Sequence, residues 1–225
     1  MNALQVKRSL INSGVDKLYH VNTVVTSLSF INQGGLLSRQ TAEIMGVPQT
    51  PQSSDDIDRE FGIYNDIFFD SVDIHDRAKR PNDYGPVMFV YSVDVLDTLT
   101  EYDICITRDN PIYWEDGMQD NEKYFSSEQE ILFGFSKGDF NKHITVRNIS
   151  VPLPFNYLEE IVIDDPGMEH IELLNKAKES IESSLNIIGI RVPVNVRKCS
   201  LNCSCLSKYT TSNPGYAYHR FKTQL

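Results

Sequence analysis

Short runs of β-branched and aromatic residues, which do not alternate with helical segments, constrain the possible folds of this chain most strongly. Six such runs follow one another between residues 66 and 163, and Gly, Pro, Asn or Asp bounds most of them. A doubly wound parallel sheet needs a helix between successive strands, so this order disfavours it. The sequence therefore predicts an α+β fold that is mainly antiparallel. The predicted strands are Asp66–Phe69, Val87–Val93, Tyr102–Thr107, Glu130–Phe135, Ile144–Val151 and Glu160–Ile163.

Helical periodicity is found on both sides of this strand-rich region. Residues 2–12 predict a weak N-terminal helix, and a short strand over Leu18–Val21 leads into a helix that Asn22 or Thr23 can cap and Gly34-Gly35 ends. We assign residues 1–190 to one domain and residues 191–225 to a C-terminal extension. The other predicted segments are a polar loop over Val47–Asp58, a helix from Asp165-Pro166 to Gly189, and a last strand within residues 186–194.

The charges are distributed unevenly along the chain. It carries 21 basic and 31 acidic residues, a net charge of −10, but residues 183–225 hold six bases and no acid. The acidic body disfavours nucleic-acid binding, whereas the basic extension interleaves aromatic residues that could stack on the bases of a single strand. Alternatively, the extension is held against the body by its own charge. Its aromatic residues are Tyr209, Tyr216, Tyr218 and Phe221.

Location can be anticipated from hydropathy. No apolar run approaches the ~20 residues that a membrane helix needs, and residues 1–14 do not resemble a signal peptide. We therefore expect a cytoplasmic protein without a membrane partner, whose four cysteines stay reduced.

Three of the cysteines form a C-x3-C-x-C cluster. One alternative is a zinc site formed by Cys199, Cys203 and Cys205, whose fourth ligand would be His219 or Cys105. Otherwise these thiols are small buried apolar groups. His75 lies between two aspartates, a pattern that we interpret as charge crowding on a helix rather than as a metal site.

Three segments resemble the ADP-ribosyltransferase superfamily, in the branch that holds the poly(ADP-ribose)-polymerase-like enzymes and the DNA-targeting DarT toxins. LYHVNTVVTSLSFINQGGLLSR resembles the opening strand with its His, the helix after it and the Gly-Leu-Leu turn. GIYNDIFFDSVDIHDRAKRPNDYGPVMFVYSVDVL is similar to the second strand, the short helix and the next long strand. SSEQEILF is similar to the strand start that carries the catalytic Glu. The resemblance implies a fold of split, mainly antiparallel sheets with an N-terminal helical segment.

The same resemblance implies NAD as substrate, nicotinamide as leaving group, and a nucleic-acid base or a protein side chain as acceptor of ADP-ribose. Glu130, with Glu128 two residues earlier, would orient the ribose and activate the acceptor, because the transition state is oxocarbenium-like. Arg39 would lie near the diphosphate, and the chemistry needs no metal. The expected NAD-binding residues are His20, Asn22, Phe68 and Tyr84.

The match departs from the family pattern where Phe68 stands in place of the usual Tyr, so ring stacking is retained without the hydroxyl. Which of Tyr64, Tyr84 and Tyr91 faces nicotinamide stays open at this point. Arg39 could instead pair with Glu43, four residues later on a helix.

Two other functions remain open from the sequence. His143 opens the pattern His-Ile-Thr-Val, which is typical of 2H phosphoesterases, but the second such motif would have to be at His20, where Asn22 replaces the Ser or Thr. The third possibility is a non-catalytic binding domain of the same fold that uses its basic extension to hold a partner.

Overall fold

The computed structural model describes residues 1–77, 83–198, 203–211 and 215–224. The α-helices within these ranges are α1 (Ala3–Asn12), α2 (Val24–Asn32), α3 (Arg39–Ile44), α4 (Asp55–Glu60), α5 (Ile74–Arg77), α6 (Asp120–Lys123), α7 (Glu128–Gly134), α8 (Ile171–Ile187), α9 (Cys205–Thr211) and α10 (Gly215–Phe221). The strands are β1 (Lys17–Asn22), β2 (Gly35–Leu36), β3 (Ile67–Phe69), β4 (Val87–Ser92), β5 (Ile104–Ile106), β6 (Ile144–Val146), β7 (Leu153–Pro154), β8 (Leu158–Asp164) and β9 (Val194–Arg197). Short 3₁₀ turns cover Val93–Thr98, Pro111–Tyr113, Phe155–Tyr157 and Met168–His170.

The larger sheet has four strands in the order β1-β4-β8-β9. β4 pairs antiparallel with both β1 and β8, whereas β9 runs parallel to β8 and places Arg197 opposite Asp164. β4 is buried along five of its six residues, Val87 to Tyr91, as its run of β-branched and aromatic residues requires. Helices α2 and α8 pack against each other beside this sheet.

A second, three-stranded sheet has the antiparallel order β3-β6-β5. It is joined to the larger sheet where Tyr19 of β1 and Asp70, next to β3, exchange two backbone hydrogen bonds of 3.0 and 2.9 Å. A separate two-stranded ribbon joins β2 to β7. The sheets are therefore split, and the prediction of an α+β fold with mainly antiparallel split sheets is confirmed.

Most predicted elements are found where the sequence placed them. The N-terminal helix, the strand at residue 18 and the helix that follows are confirmed as α1, β1 and α2, with Thr23 at the N-cap of α2. The long helix is confirmed as α8, which buries Leu174, Ala177, Ile181 and Leu185 at helical spacing before Gly189 turns the chain with φ +75°. Among the described helices, none combines the length and apolarity that crossing a membrane demands.

The strand predicted over Glu130–Phe135 is wrong, because these residues belong to helix α7. Ser127 caps that helix by accepting a hydrogen bond of 3.2 Å from the backbone N–H of Glu130. Glu128 and Glu130 then lie in the first turn, where negative charge favours a helix. The polar loop predicted over Val47–Asp58 is also shorter than expected, since α4 begins at Asp55. The last strand starts at Val194 rather than before it.

Residues of the C-terminal extension join the main core. Tyr209, Ala217 and Phe221 are buried within the same apolar cluster as the strands of the larger sheet. β9 contributes a strand to that sheet, so the described part of residues 191–225 is packed on the body. The boundary between residues 190 and 191 stays a prediction.

Candidate active site

A cleft opens beside the point where the two sheets meet. It encloses about 960 Å³ of empty space, counting the part open to solvent. Its walls come from β1, β3, α3, α4 and the loops before β4 and β6. Every residue predicted from the sequence to bind NAD lines it, and so does Arg39. These residues are His20, Asn22, Phe68 and Tyr84.

His20 connects the two sheets across the base of the cleft. Its Nδ1–H donates a hydrogen bond of 2.8 Å to the carbonyl of Phe68, and its Nε2 accepts one of 2.7 Å from the side-chain amide of Asn22. Burial lowers the pKa of the His20 imidazole, so the ring is neutral at pH 7. Gln52 in turn donates to Asn22 Oδ1 at 3.3 Å. His20 and Asn22 therefore form one fixed polar pair.

Arg39 is held rigidly at the wall of the cleft. It begins α3, and its Nε and Nη2 donate to the two oxygens of Asp55 at 3.0 and 2.9 Å. Nη2 also donates to the carbonyl of Thr50 at 2.9 Å. Within the described residues, the buried Nη1 has no hydrogen-bond partner. The predicted alternative, a pair between Arg39 and Glu43, is wrong, because Glu43 pairs with Arg59 at 2.9 Å.

Two predicted aromatic side chains line the cleft at different depths. Phe68 is half-buried and packs edge-on to the ring of His143, with 6.2 Å between ring centroids. Tyr84 is 38% exposed. Of the three tyrosines left open by the sequence, Tyr84 alone lines the cleft. Tyr91 is buried against Phe155, and Tyr64 lies under Arg59 in a separate depression.

Three carboxylates that the sequence analysis did not single out line the cleft: Asp58, Asp66 and Asp70. Burial raises the pKa of Asp58 to about 7. Burial also raises the pKa of Asp66 to about 6, although Arg147, with its Nε 2.6 Å from Asp66 Oδ2, opposes this. Asp66 and Asp70 flank the Ile-Phe-Phe strand, a position that could have drawn attention to them. Asp58 gave no such signal, because it falls in the segment predicted to be a polar loop.

Glu130 and Glu128 do not line this cleft. Glu130 Oε2 accepts hydrogen bonds from the backbone and the hydroxyl of Ser126 at 2.7 and 2.8 Å, and it pairs with Arg108 at 2.6 Å. The Ser126 hydrogen bonds and Arg108 lower the pKa of Glu130. Glu128 pairs with Arg8 of α1. Because both residues lie in helix α7, the strand start that the resemblance implied for this segment is not formed.

His143 enters the same cleft from the residue that precedes β6. Its Nδ1 lies 3.3 Å from Asp70 Oδ1, and its Nε2 lies 3.2 Å from the side-chain amide of Asn110. The two histidines proposed for a phosphoesterase therefore share one cleft. Both ring nitrogens of His20, however, are engaged by protein groups.

Several basic and aromatic side chains of the C-terminal extension already contact the body of the protein. Lys208 pairs with Asp83, and Arg197 pairs with Asp73 and Asp164. Tyr209 and Phe221 are buried, whereas Tyr218 is 54% exposed. Lys208 and Arg197 therefore hold the extension against the acidic body, as the second alternative predicted.

Two of the three clustered cysteines belong to the described residues, and Cys199 lies outside them. Cys203 and Cys205 lie together, and the third side chain beside them is His75. Neither predicted fourth ligand joins them within the described residues: His219 is exposed against Tyr218, and Cys105 packs beside Ile63, Trp114 and Tyr124. His75 therefore has two thiols beside it as well as the two aspartates of its sequence pattern, and the interpretation of that pattern as charge crowding stays a prediction.

Comparison with known proteins gives structural likeness only. No protein-family model matches the sequence, and no curated protein matches it. In structure, the chain is similar to Thermus sp. 2.9 DarT in complex with ADP-ribosylated ssDNA, at 11% identity and a TM-score of 0.49, over 82% of this chain and 95% of that one.

Two further structures of Thermus sp. 2.9 DarT are similar to this chain. The complex with NAD⁺ has 12% identity and a TM-score of 0.46, and the complex with carba-NAD⁺ has 11% identity and a TM-score of 0.45. Each covers 81% of this chain and 96% of its own. The function therefore has to be inferred from the cleft itself.

Proposed function

We propose that this chain is an NAD-dependent ADP-ribosyltransferase that releases nicotinamide. The observation that carries the proposal is the convergence of His20, Asn22, Arg39, Phe68 and Tyr84 in one cleft. They come from two sheets, a helix and a loop, and are up to 64 positions apart in sequence. Local sequence patterns do not require such a convergence.

The charges of the cleft suit both ends of NAD. Arg39 offers a buried N–H without a protein partner among the described residues, which can donate to a diphosphate oxygen. The carboxylates of Asp58, Asp66 and Asp70 place negative charge in the same cleft, which stabilises positive charge developing on a ribose. Phe68 and Tyr84 supply aromatic faces for the nicotinamide ring.

The reaction breaks the bond between ribose C1′ and the nicotinamide nitrogen. Nicotinamide leaves with the bonding electrons as a neutral ring, and the acceptor nitrogen or oxygen forms the new bond to C1′. The proton that the acceptor loses passes to a carboxylate of the cleft. We assign this role to Asp58, because a proton acceptor works best when its pKa lies near the working pH.

We take the acceptor to be a base of single-stranded nucleic acid, with a protein side chain as the alternative. The support is the composition of residues 183–225, which hold six bases and no acid, together with the exposed ring of Tyr218. The similar DarT structure holds ADP-ribosylated ssDNA. Binding through residues 191–225 should weaken steeply as salt is raised, since phosphate contacts release counterions.

A phosphoesterase is the second candidate, because His20 and His143 both line the cleft. Such an enzyme needs one imidazole as acid and one as base. His20 fits the acid role poorly, since burial lowers its pKa and its two nitrogens are already hydrogen-bonded.

The test is release of nicotinamide from NAD by the purified chain, with single-stranded DNA, RNA or protein offered as acceptor. We expect Asp58→Asn to lower turnover by ~100-fold, as for loss of a general base. We expect Arg39→Gln to lower kcat/KM by ~10–100-fold, as for loss of a charged hydrogen bond. Arg59→Gln and Glu130→Gln are matched controls outside the cleft and should keep the wild-type rate.

Each outcome bears on a separate part of the proposal. If the folded wild type neither releases nicotinamide with any acceptor nor melts higher in the presence of NAD, the function is wrong. If Glu130→Gln abolishes release and Asp58→Asn does not, the function holds and the carboxylate assignment fails. If wild type hydrolyses a cyclic phosphodiester and His143→Ala does not, the phosphoesterase is correct.

A further inference from the structure

A compact cluster of one histidine and two cysteines lies outside the cleft. His75 Nδ1 is 3.1 Å from Cys203 Sγ and 3.8 Å from Cys205 Sγ, and all three atoms lie within 4.8 Å of one another. His75 comes from α5, whereas Cys203 and Cys205 open the C-terminal helical segment. None of the three lines the cleft.

These separations fit the first shell of a tetrahedral zinc ion. With zinc bonds of about 2.3 Å to sulfur and about 2.0–2.1 Å to nitrogen, ligand atoms lie roughly 3.6 Å apart for a nitrogen and a sulfur and roughly 3.8 Å apart for two sulfurs. The observed nitrogen–sulfur separations of 3.1 and 3.8 Å are about 0.5 Å shorter and about 0.2 Å longer than the first of these values, so a small adjustment of the side chains admits the ion. Thiolate and imidazole together are ligands that favour zinc over magnesium or calcium.

The surroundings of His75 favour Nδ1 as the metal-binding nitrogen. The other ring nitrogen, Nε2, lies 3.2 Å from Asp164 Oδ1 at the end of β8. Asp164 is fully buried, and it also lies 2.7 Å from Arg197 Nη2 and accepts a hydrogen bond of 3.3 Å from the Tyr209 hydroxyl. A carboxylate behind the distal nitrogen of a histidine is the usual second shell of a metal-bound imidazole.

We propose that His75, Cys203 and Cys205 bind a structural zinc ion. The ion joins α5 to the start of α9 beside the ends of β8 and β9, and so fixes the C-terminal helices to the larger sheet. The three side chains supply three of the four ligands of a tetrahedral zinc ion, and Cys205 is 2% exposed, so the site is shielded on that side. The site is independent of the proposed transferase activity.

The first measurement is the zinc content of the full chain, purified without a metal-affinity step and analysed by mass spectrometry of the metal. We expect about one zinc per chain. His75→Ala and Cys203→Ser should each lower the content at least tenfold. Cys105→Ser is the matched control, because this half-buried thiol lies in another cluster, and it should keep the ion.

Wild-type measurements keep the proposal falsifiable if a variant fails to fold. Replacing zinc by cobalt(II) should give the charge-transfer absorption of bound thiolate. Removing the ion with a chelator should lower the Tm by ~5–10 °C and expose Cys203 to alkylation, without changing the labelling of Cys105. A folded wild type that has no zinc and shows no cobalt–thiolate band, or a His75→Ala variant that keeps its zinc, overturns the proposal.

Discussion

At the scale of single residues, the cleft holds charged groups whose burial opposes folding. Burial raises the pKa of Asp58 to about 7, and Arg39 keeps a buried N–H with no partner among the described residues. Such groups cluster at functional sites, because binding and catalysis need charge that is not already neutralised. Asp58 should therefore be a residue at which activity and stability conflict.

We predict that Asp58→Asn stabilises the protein above pH 7 while it impairs turnover. The folded carboxyl has a pKa of about 7, well above its ordinary 3.8, so the native state binds the extra proton between these values. The ionised side chain therefore costs stability as the pH rises from about 4 to about 7, by up to ~4 kcal/mol. Urea unfolding of both proteins at pH 4 and pH 8 measures the difference, which should be present at pH 8 and vanish at pH 4.

Asp56→Asn is the control for this pH dependence. Asp56 is exposed on the same helix, so its substitution should leave the free energy of unfolding within ~0.5 kcal/mol of wild type at both pH values. Equal stability of Asp58→Asn and wild type at pH 8 would contradict the raised pKa.

At the scale of elements, the cleft depends on close approach between β1 and the turn before β4. Gly85, in that turn, has φ +149°, and a Cβ there would lie 2.2 Å from the backbone carbon of Asn22. Only glycine allows this contact, because every other residue would push against the junction of β1 and α2. The position of Asn22 in the cleft is therefore set partly by a residue that lies 63 positions later.

We predict that Gly85→Ala disturbs the cleft more than the fold as a whole. Overpacking should cost ~1–3 kcal/mol, and displacement of Asn22 should lower nicotinamide release at least tenfold. Gly14→Ala is the control: it also has a positive φ of +78°, but its Cβ would meet nothing within 4 Å. It should lose only ~1 kcal/mol and keep full activity. Wild-type release by a folded Gly85→Ala variant would show that this contact does not set the geometry of the cleft.

At the scale of the whole molecule, the basic extension belongs to the fold that it follows. β9 pairs with β8, α10 packs against α2 and α8, and Phe221 is 1% exposed. Phe221 also packs edge-on to Tyr209, with 5.4 Å between centroids. Its burial in the common apolar cluster predicts one cooperative unfolding transition rather than separate melting of the C-terminal helices.

We predict that Phe221→Ala destabilises the entire chain by ~3–5 kcal/mol, because it leaves a cavity in the core. Tyr218→Ala, on the exposed side of the same helix, should change stability by ~0.5 kcal/mol or less. Urea unfolding followed by far-UV circular dichroism measures both. An unchanged midpoint for Phe221→Ala would show that α10 is not part of the cooperative core.

The sequence by itself determined the elements whose signals are local. The β-branched runs became β3, β4, β5 and β8, the spacing of apolar residues set α8, and the order of these elements indicated a mainly antiparallel α+β fold. The family resemblance of the segments around His20 and Phe68 also identified side chains that line the cleft. These features depend on a few neighbouring residues, which a linear pattern records.

Only the tertiary structure decided which residues from distant segments contact one another. Glu130 pairs with Arg108, 22 positions earlier, and does not line the cleft. Asp58 reaches the cleft because α4 forms in the segment that looked like a loop. His75 meets Cys203 across 128 positions. Such contacts depend on how distant segments pack, and the physical interactions that set them act through space rather than along the chain.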